Sequence, residues 1–437
     1  MKIRKATILT ACLGIGLVRP LCAAEAAKAD CWGVTVPDYL SEASLTAKLG
    51  YDSNVYATDN SLPGKPDLAN QESAVFSVSP KLLFNGLKLF ELPKDSAVQA
   101  FSFGYSGDYV FFGSFSGENN GRHTLPFALK LKQEAWSFSL DNSFLWVQGP
   151  DDSPLYNLYS AYGTATVRER RSQIQNRFSA SLRFDEGACF VRAAAAALSY
   201  NLLTDLHNSA TEPAYKGYQN WVDRSDIGVG LDFGYKASKD LSFIAGWRTG
   251  KQSQSRYTWG GNHCDSTFNR LQFGFEGKLA SWLQGSLLAG PDFRSYSDTA
   301  FLGITGTSHT WLYLDGSLNA TASADDRVTL TGKVWHWVSS TGTTSYQDSS
   351  YALTWKHSFS KQLSTSVGIK FQASNYDAPA VRHDQFFSYP VGLTYSVSKE
   401  IVLGADYQYG KAHNRISGTL GREYTQNQFT LTLRLAL

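Results

Sequence analysis

Apolar and polar residues alternate along nearly the whole chain. The end shows it most plainly: Phe429, Leu431, Leu433, Leu435 and Leu437 are separated by Thr430, Thr432, Arg434 and Ala436. A period of two predicts strands with one apolar and one polar face. The same alternation runs through residues 45–51, 101–109, 127–131, 178–184, 227–233, 367–371 and 401–407. No segment carries a 3.6-residue amphipathic stripe, and 193–197, a run of alanines, reads as a small-residue strand.

The segments between these runs fall into two kinds. Short polar turns of one chemistry recur around 235–243, 322–330, 359–365 and 395–403, with similar connections at 185–187 and near Ala280. Longer stretches rich in Gly, Ser, Asn, Asp and Pro occupy 149–171, 203–223, 256–266, 339–345 and 375–384. Tight turns at one end and long loops at the other is the asymmetry of an outer-membrane barrel. The spacing predicts an all-β, transmembrane, antiparallel up-and-down barrel of about 18 strands, with 16 as the alternative. The barrel is expected over 41–437, after a short periplasmic segment at 25–40 that, with 87–94, forms the only extras.

Composition separates this reading from a soluble sandwich, which alternates too. Charged residues are 18% and aromatic ones 14%, so the polar face is built from Ser, Thr, Gly, Asn and Gln where a sandwich exposes charge. Aromatic residues gather toward strand ends at Trp136, Trp146, Trp247, Trp259 and Trp282, as interfacial girdles require. Mean hydropathy is −0.26, which excludes a bundle of membrane helices. Forty basic residues against 38 acidic ones exclude a strongly basic nucleic-acid binder.

The ends and the cysteines add localisation. Lys2, Arg4 and Lys5 precede an apolar run over 6–18 and the small residues Cys22, Ala23 and Ala24, the pattern of a cleaved signal peptide over 1–24. The chain is therefore expected in the outer membrane, inserted by the barrel-assembly machinery and surrounded by lipid. Cys31, Cys189 and Cys264 remain after cleavage, an odd number, and a Cys31–Cys189 bridge is one arrangement.

If the large apolar alternants face lipid, their neighbours face the interior. That face receives Lys48, Lys81, Lys130, Lys132, Arg177, Arg183, Arg192, Lys236, Arg248, Arg270, Lys278, Lys333, Lys356, Lys370 and Arg434. Its acids are Asp52, Asp108, Asp141, Asp232, Glu276, Asp315 and Asp406. A Lys or Arg against lipid at mid-depth costs about 2–4 kcal/mol, which favours the inward placement. Two readings are open: a water-filled pore with anion preference, or side chains that pair across strands and fill the lumen. Trp335, Trp337, Trp311 and Tyr313 share that parity; a girdle position is expected before a sugar-stacking one.

The run LTAKLGYDSNVY at 45–56, followed after a polar loop by AVFSVSPKLLF at 74–84, resembles the β-barrel porin family of Gram-negative outer membranes. Its members open with a strand ending in Tyr-Asp-Ser-Asn-Val/Ile-Tyr and continue with a Ser-Pro-x-Leu strand. The likeness covers about 40 residues. Beyond them only the alternation and the Ser-Lys-Glu/Asp turns agree, and the chain ends in Leu437 where assembly signals usually carry an aromatic residue. The leading expectation is passage of small hydrophilic solutes, anionic or saccharide ones included; the resemblance points to polysaccharide export through a pore as one alternative, and a structural or adhesive barrel with a plugged lumen is another.

Catalytic and cofactor signatures are absent: the chain has no Gly-x-Ser-x-Gly elbow, Walker loop, His-Glu-x-x-His or Gly-x-Gly-x-x-Gly. No enzyme, cofactor or metal is expected. Among the histidines only His336 and His357 fall within strands on this reading.

Overall fold

A computed structural model describes residues 36–57, 70–93, 95–149, 156–160, 163–167, 172–203, 223–254, 265–296, 308–338, 345–376, 382–416 and 423–437. Its strands are β1 (Leu40–Asp52), β2 (Ser73–Asn85), β3 (Val98–Phe112), β4 (Asn120–Gln133), β5 (Trp136–Gln148), β6 (Tyr156–Ser160), β7 (Gly163–Val167), β8 (Gln173–Glu186), β9 (Cys189–Leu202) and β10 (Arg224–Lys236). They continue with β11 (Leu241–Gln254), β12 (Ser266–Ala280), β13 (Leu283–Tyr296), β14 (Ser308–Thr321), β15 (Asp326–Val338), β16 (Ser345–Ser358), β17 (Leu363–Tyr376), β18 (Arg382–Ser396), β19 (Ile401–Asn414) and β20 (Tyr424–Ala436). One turn of helix, α1 (Gly86–Leu89), is capped by the Asn85 side chain, which accepts from the Leu87 and Lys88 amides.

β6 and β7 form a separate two-stranded hairpin, and the other strands make one 18-stranded antiparallel sheet. β1 pairs with β2 on one side and with β20 on the other, so the sheet closes on itself. The 16-strand alternative is thereby excluded. Residues 39–437 form the barrel unit, and β1 begins at Leu40, slightly before the expected start. The signal sequence, Cys31 and Cys264 lie outside the described residues; Cys189 carries a free, exposed thiol.

The tight turns share one device. Ser238, Ser323, Ser360 and Ser398 each accept, through Oγ, the amides two and three residues ahead at 3.0–3.2 Å. Such hydroxyl-closed turns satisfy the amides that a hairpin reversal leaves unpaired. This is the physical basis of the recurring Ser-Lys-Glu/Asp spelling.

The outward face is apolar on every side, from Ile227, 60% exposed, through Phe273, Leu312, Leu353 and Leu403 to Leu431. A continuous exposed face of this kind is stable against hydrocarbon and not against water. Trp136 and Trp146 stand exposed near opposite ends of β5. At the upper end, the one carrying the longer loops, Tyr105, Tyr109, His123 and Trp146 form an outer cluster, with the Tyr105 hydroxyl 3.0 Å from His123 Nδ1 and the His123 ring 5.0 Å from Trp146. His123, His309, His383 and His413 also lie in strands, contrary to expectation, because each falls near a strand end where alternation is weakest.

Candidate functional site: the inner wall

Alternation places every expected site residue on the face opposite the exposed apolar one, and contacts across the barrel identify that face as the inside. Arg183 on β8 is held by Asp185 through paired bonds of 2.9 and 2.7 Å, and its guanidinium lies 3.6 Å above the Phe190 ring. Its Nη1 also reaches Glu276 on β12 at 3.4 Å. Glu276 accepts as well from Arg192 on β9 at 3.0 Å, while Arg192 Nε donates to Asp232 at 2.9 Å. Arg248 completes the group, donating to both oxygens of Asp232 at 2.6 and 2.9 Å. Asp232 is 0% exposed, and Gly246 makes its space: a Cβ there would sit 2.3 Å from Asp232 Oδ1. Buried carboxylates are retained when charge-assisted bonds satisfy them, as the two arginines do here.

A second group follows on the next strands. Arg270 and Arg294 share Asp292 at 2.6 and 3.2 Å, and Arg270 lies 3.7 Å above the Tyr313 ring. Arg177 donates to Gln175 and to the Tyr200 hydroxyl at 3.4 and 3.2 Å. Lys333 sits 3.5 Å from Asp315 and 5.4 Å from the Trp335 ring. Arg434 and Lys81 both reach Glu42, at 3.1 and 2.6 Å.

Lys236 reaches Asp185 at 2.7 Å and Lys278 reaches Asp240 at 3.6 Å, and five other lysines behave differently. Lys48 on β1, Lys130 and Lys132 on β4, Lys356 on β16 and Lys370 on β17 are exposed on the inner face. None has an acid partner among the described residues, and the inner acid Asp406 has no basic partner among them. The wall is thus two-sided. Arginines tied to carboxylates fill the arc from β8 to β13, and solvated lysines stand on the arc running from β16 through β1 to β4.

Sequence parity missed several members of this wall. Arg122, Arg224, Arg294 and Arg327 belong to it, as do Glu42, Asp185, Asp226, Asp292, Asp348 and Asp384. The additions contain more acids than bases, so the inner excess of positive charge is narrower than the sequence implied, with the same sign. The alternation through PDFRSY at 291–296 was the overlooked signal for Asp292 and Arg294. Trp311, Tyr313 and Trp335 lie inward and not in a girdle, which corrects that expectation; the Trp337 side chain is outside the described set. No group of His, Cys, Asp and Glu suited to a metal occurs among the described residues.

A family model described as "Putative beta-barrel porin 2" matches residues 219–437, half of the chain. The chain belongs to this porin family. The matched span takes in β10 to β20; the residues that carry the resemblance, 45–84, lie outside it. No curated protein matches. Among solved structures, OpdK of Pseudomonas aeruginosa is similar at 11% identity and a TM-score of 0.42, covering 91% of this chain and 99% of its own. OccK2 (OpdF) of the same species, solved with glucuronate, gives 12%, 0.43, 91% and 98%. A BenF-like porin from Pseudomonas fluorescens Pf-5 gives 10%, 0.44, 91% and 100%. At such identities the likeness concerns architecture alone. The protein is an outer-membrane β-barrel of the porin type.

Proposed function

We propose that the barrel is a passive channel for small hydrophilic solutes with a preference for anions. The observation that carries this reading is the set of lysines without acid partners among the described residues, Lys48, Lys130, Lys132, Lys356 and Lys370, solvated on one arc of the inner wall. Charges on a pore wall set its ion selectivity, and arginines already neutralised by Asp185, Asp232, Glu276 and Asp292 contribute less to the field than these amines do. Tyr313 under Arg270 and Trp335 beside Lys333 supply ring faces next to cations, which suits ring-bearing anions such as acidic sugars. A cleaved leader over 1–24 and insertion by the barrel-assembly machinery belong to the same proposal, supported by the sequence pattern.

The test is conductance in planar bilayers with a potassium chloride gradient. Stable conductance with a reversal potential displaced toward chloride supports the reading. A barrel that inserts and passes no current, or one that prefers potassium, overturns it.

A further inference from the structure

In a single-layer sheet, inner-face residues of one strand do not meet outer-face residues of the next. Between β14 and β15 they do. The ladder runs from Thr321–Arg327 up to Leu314–Val334 and stops, although β14 continues to Ser308 paired with β13, and β15 continues to Val338 paired with β16. Leu330, exposed, and His336 share the outer parity of β15, while Lys333 and Trp335 share the inner one. Yet His336 is 3% exposed. Its Nε2 lies 2.7 Å from the Tyr296 hydroxyl and its ring 4.7 Å from Trp311, both inner-face residues of β13 and β14. Gln347, opposite His336 on β16, donates to the Leu312 carbonyl of β14 at 3.3 Å. Above Leu314 the wall therefore overlaps itself, with β14 outside and β15 inside, and side chains close the lap where backbone hydrogen bonds close every other seam at this height.

The lap has a chemistry on each side. On the lumen side Trp311 Nε1, Arg294 Nε, His309 Nε2 and Asp292 Oδ1 are buried without hydrogen-bond partners. Two of these can only donate, and buried donors left unsatisfied are costly, so an acceptor or anion is favoured there. On the membrane side the rim is apolar: Leu312, Phe293 and Leu330 are exposed.

We propose that the β14–β15 lap is a lateral passage between lumen and membrane. Its ligand is an amphiphile whose anionic head meets Arg294 and Arg270 while its apolar chain lies against Leu312 and Leu330. The passage goes beyond the aqueous channel proposed above and is separable from it by experiment.

The test uses the full-length protein with its native cysteines changed to serine and the pair Trp311→Cys and His336→Cys. Oxidation locks the lap; Ser349→Cys with Ala373→Cys, opposed in the intact β16–β17 ladder, is the control lock. Dodecyl phosphate, added to the bilayer, is the probe, and inorganic phosphate is its chainless counterpart. Dodecyl phosphate blocks the current of the unlocked protein. Locking the lap lowers the rate of block by an order of magnitude or more with open-channel current unchanged; reductant restores block, and the control lock leaves it intact. Equal block in the locked protein, no block in the unlocked one, or equal block by inorganic phosphate overturns the proposal. Should the barrel pass no current, spin labels at Leu312→Cys and Gln347→Cys decide: a second, longer distance on adding dodecyl phosphate supports the passage, and a single unchanged distance overturns it.

Discussion

Arg183 Nη1 lies 3.4 Å from Glu276 Oε1, although three strands, β9, β10 and β11, stand between the two residues in the wall. Strands spaced about 4.8 Å apart place these backbones far from one another along the sheet, so the pair is a chord across the curve of the lumen. Glu276 is the shared acid that draws two arginines inward.

Removing that acid frees positive charge without orphaning either arginine, because Arg183 keeps Asp185 and Arg192 keeps Asp232. Glu276→Gln is expected to shift the reversal potential further toward chloride. Both ends are a fifth to a third exposed, so the loss of stability is about 1 kcal/mol or less. Bilayer recordings beside an equilibrium unfolding curve in lipid vesicles check both, and an unmoved potential would contradict the placement of Glu276 at the solute path.

Lys130 and Lys370 face the lumen from opposite ends of the lysine arc and lack acid partners among the described residues, whereas Lys411 is exposed on the outer face of β19 near its upper end. The double change Lys130→Glu and Lys370→Glu is expected to move selectivity toward cations, and Lys411→Glu to leave it unchanged. Equal effects from the inner and outer positions would refute the inner-wall assignment.

Leu353 and Thr354 are neighbours on β16 with opposite faces. An arginine replacing Leu353 meets hydrocarbon and is expected to lower folding stability by about 2–4 kcal/mol, while Thr354→Arg stays near neutral because its side chain enters the lumen. Unfolding midpoints in vesicles distinguish them, and equal losses would argue against the membrane belt.

At the turn joining β18 to β19, the Ser398 hydroxyl donates to Glu400 at 2.7 Å. That bond, with the backbone amide and nearby Lys399, holds the Glu400 carboxyl below the ordinary glutamate range. A carboxyl depressed in the folded state contributes stability above its unfolded value, near 4.3, and loses it as pH falls through the depressed one. Carboxyl NMR titration should find Glu400 among the lower glutamates, and Ser398→Ala should raise it; a value untouched by the substitution would dismiss the turn as the cause.

Strand number, closure and the sorting of side chains were legible because a period of two survives without knowledge of pairing. Lys48, Lys130, Arg177 and Arg183 could each be assigned a face from their immediate neighbours. Which charges neutralise one another was not legible, since Arg183–Glu276 and Arg192–Asp232 depend on register and curvature. The lap was hidden for a stricter reason. His336 obeys the outer parity of β15, and only the end of the β14 ladder at Leu314 turns that face onto Trp311 and Tyr296. Parity placed Trp311, Tyr313 and Trp335 inward, and the girdle expectation erred because a ring on the inner wall and a ring at an interface look identical in a string of letters.

Trp136 and Trp146 stand ten residues apart on β5, 51% and 38% exposed toward lipid. At about 3.3 Å per residue they are roughly 33 Å apart along the strand, and a tilt of about 40° projects this to about 25 Å along the membrane normal. That is the height of the apolar band of such barrels. One strand thus carries a ruler for the bilayer: indoles that prefer headgroups at both marks fix the depth at which the barrel floats, and a thicker membrane would have to thin around it.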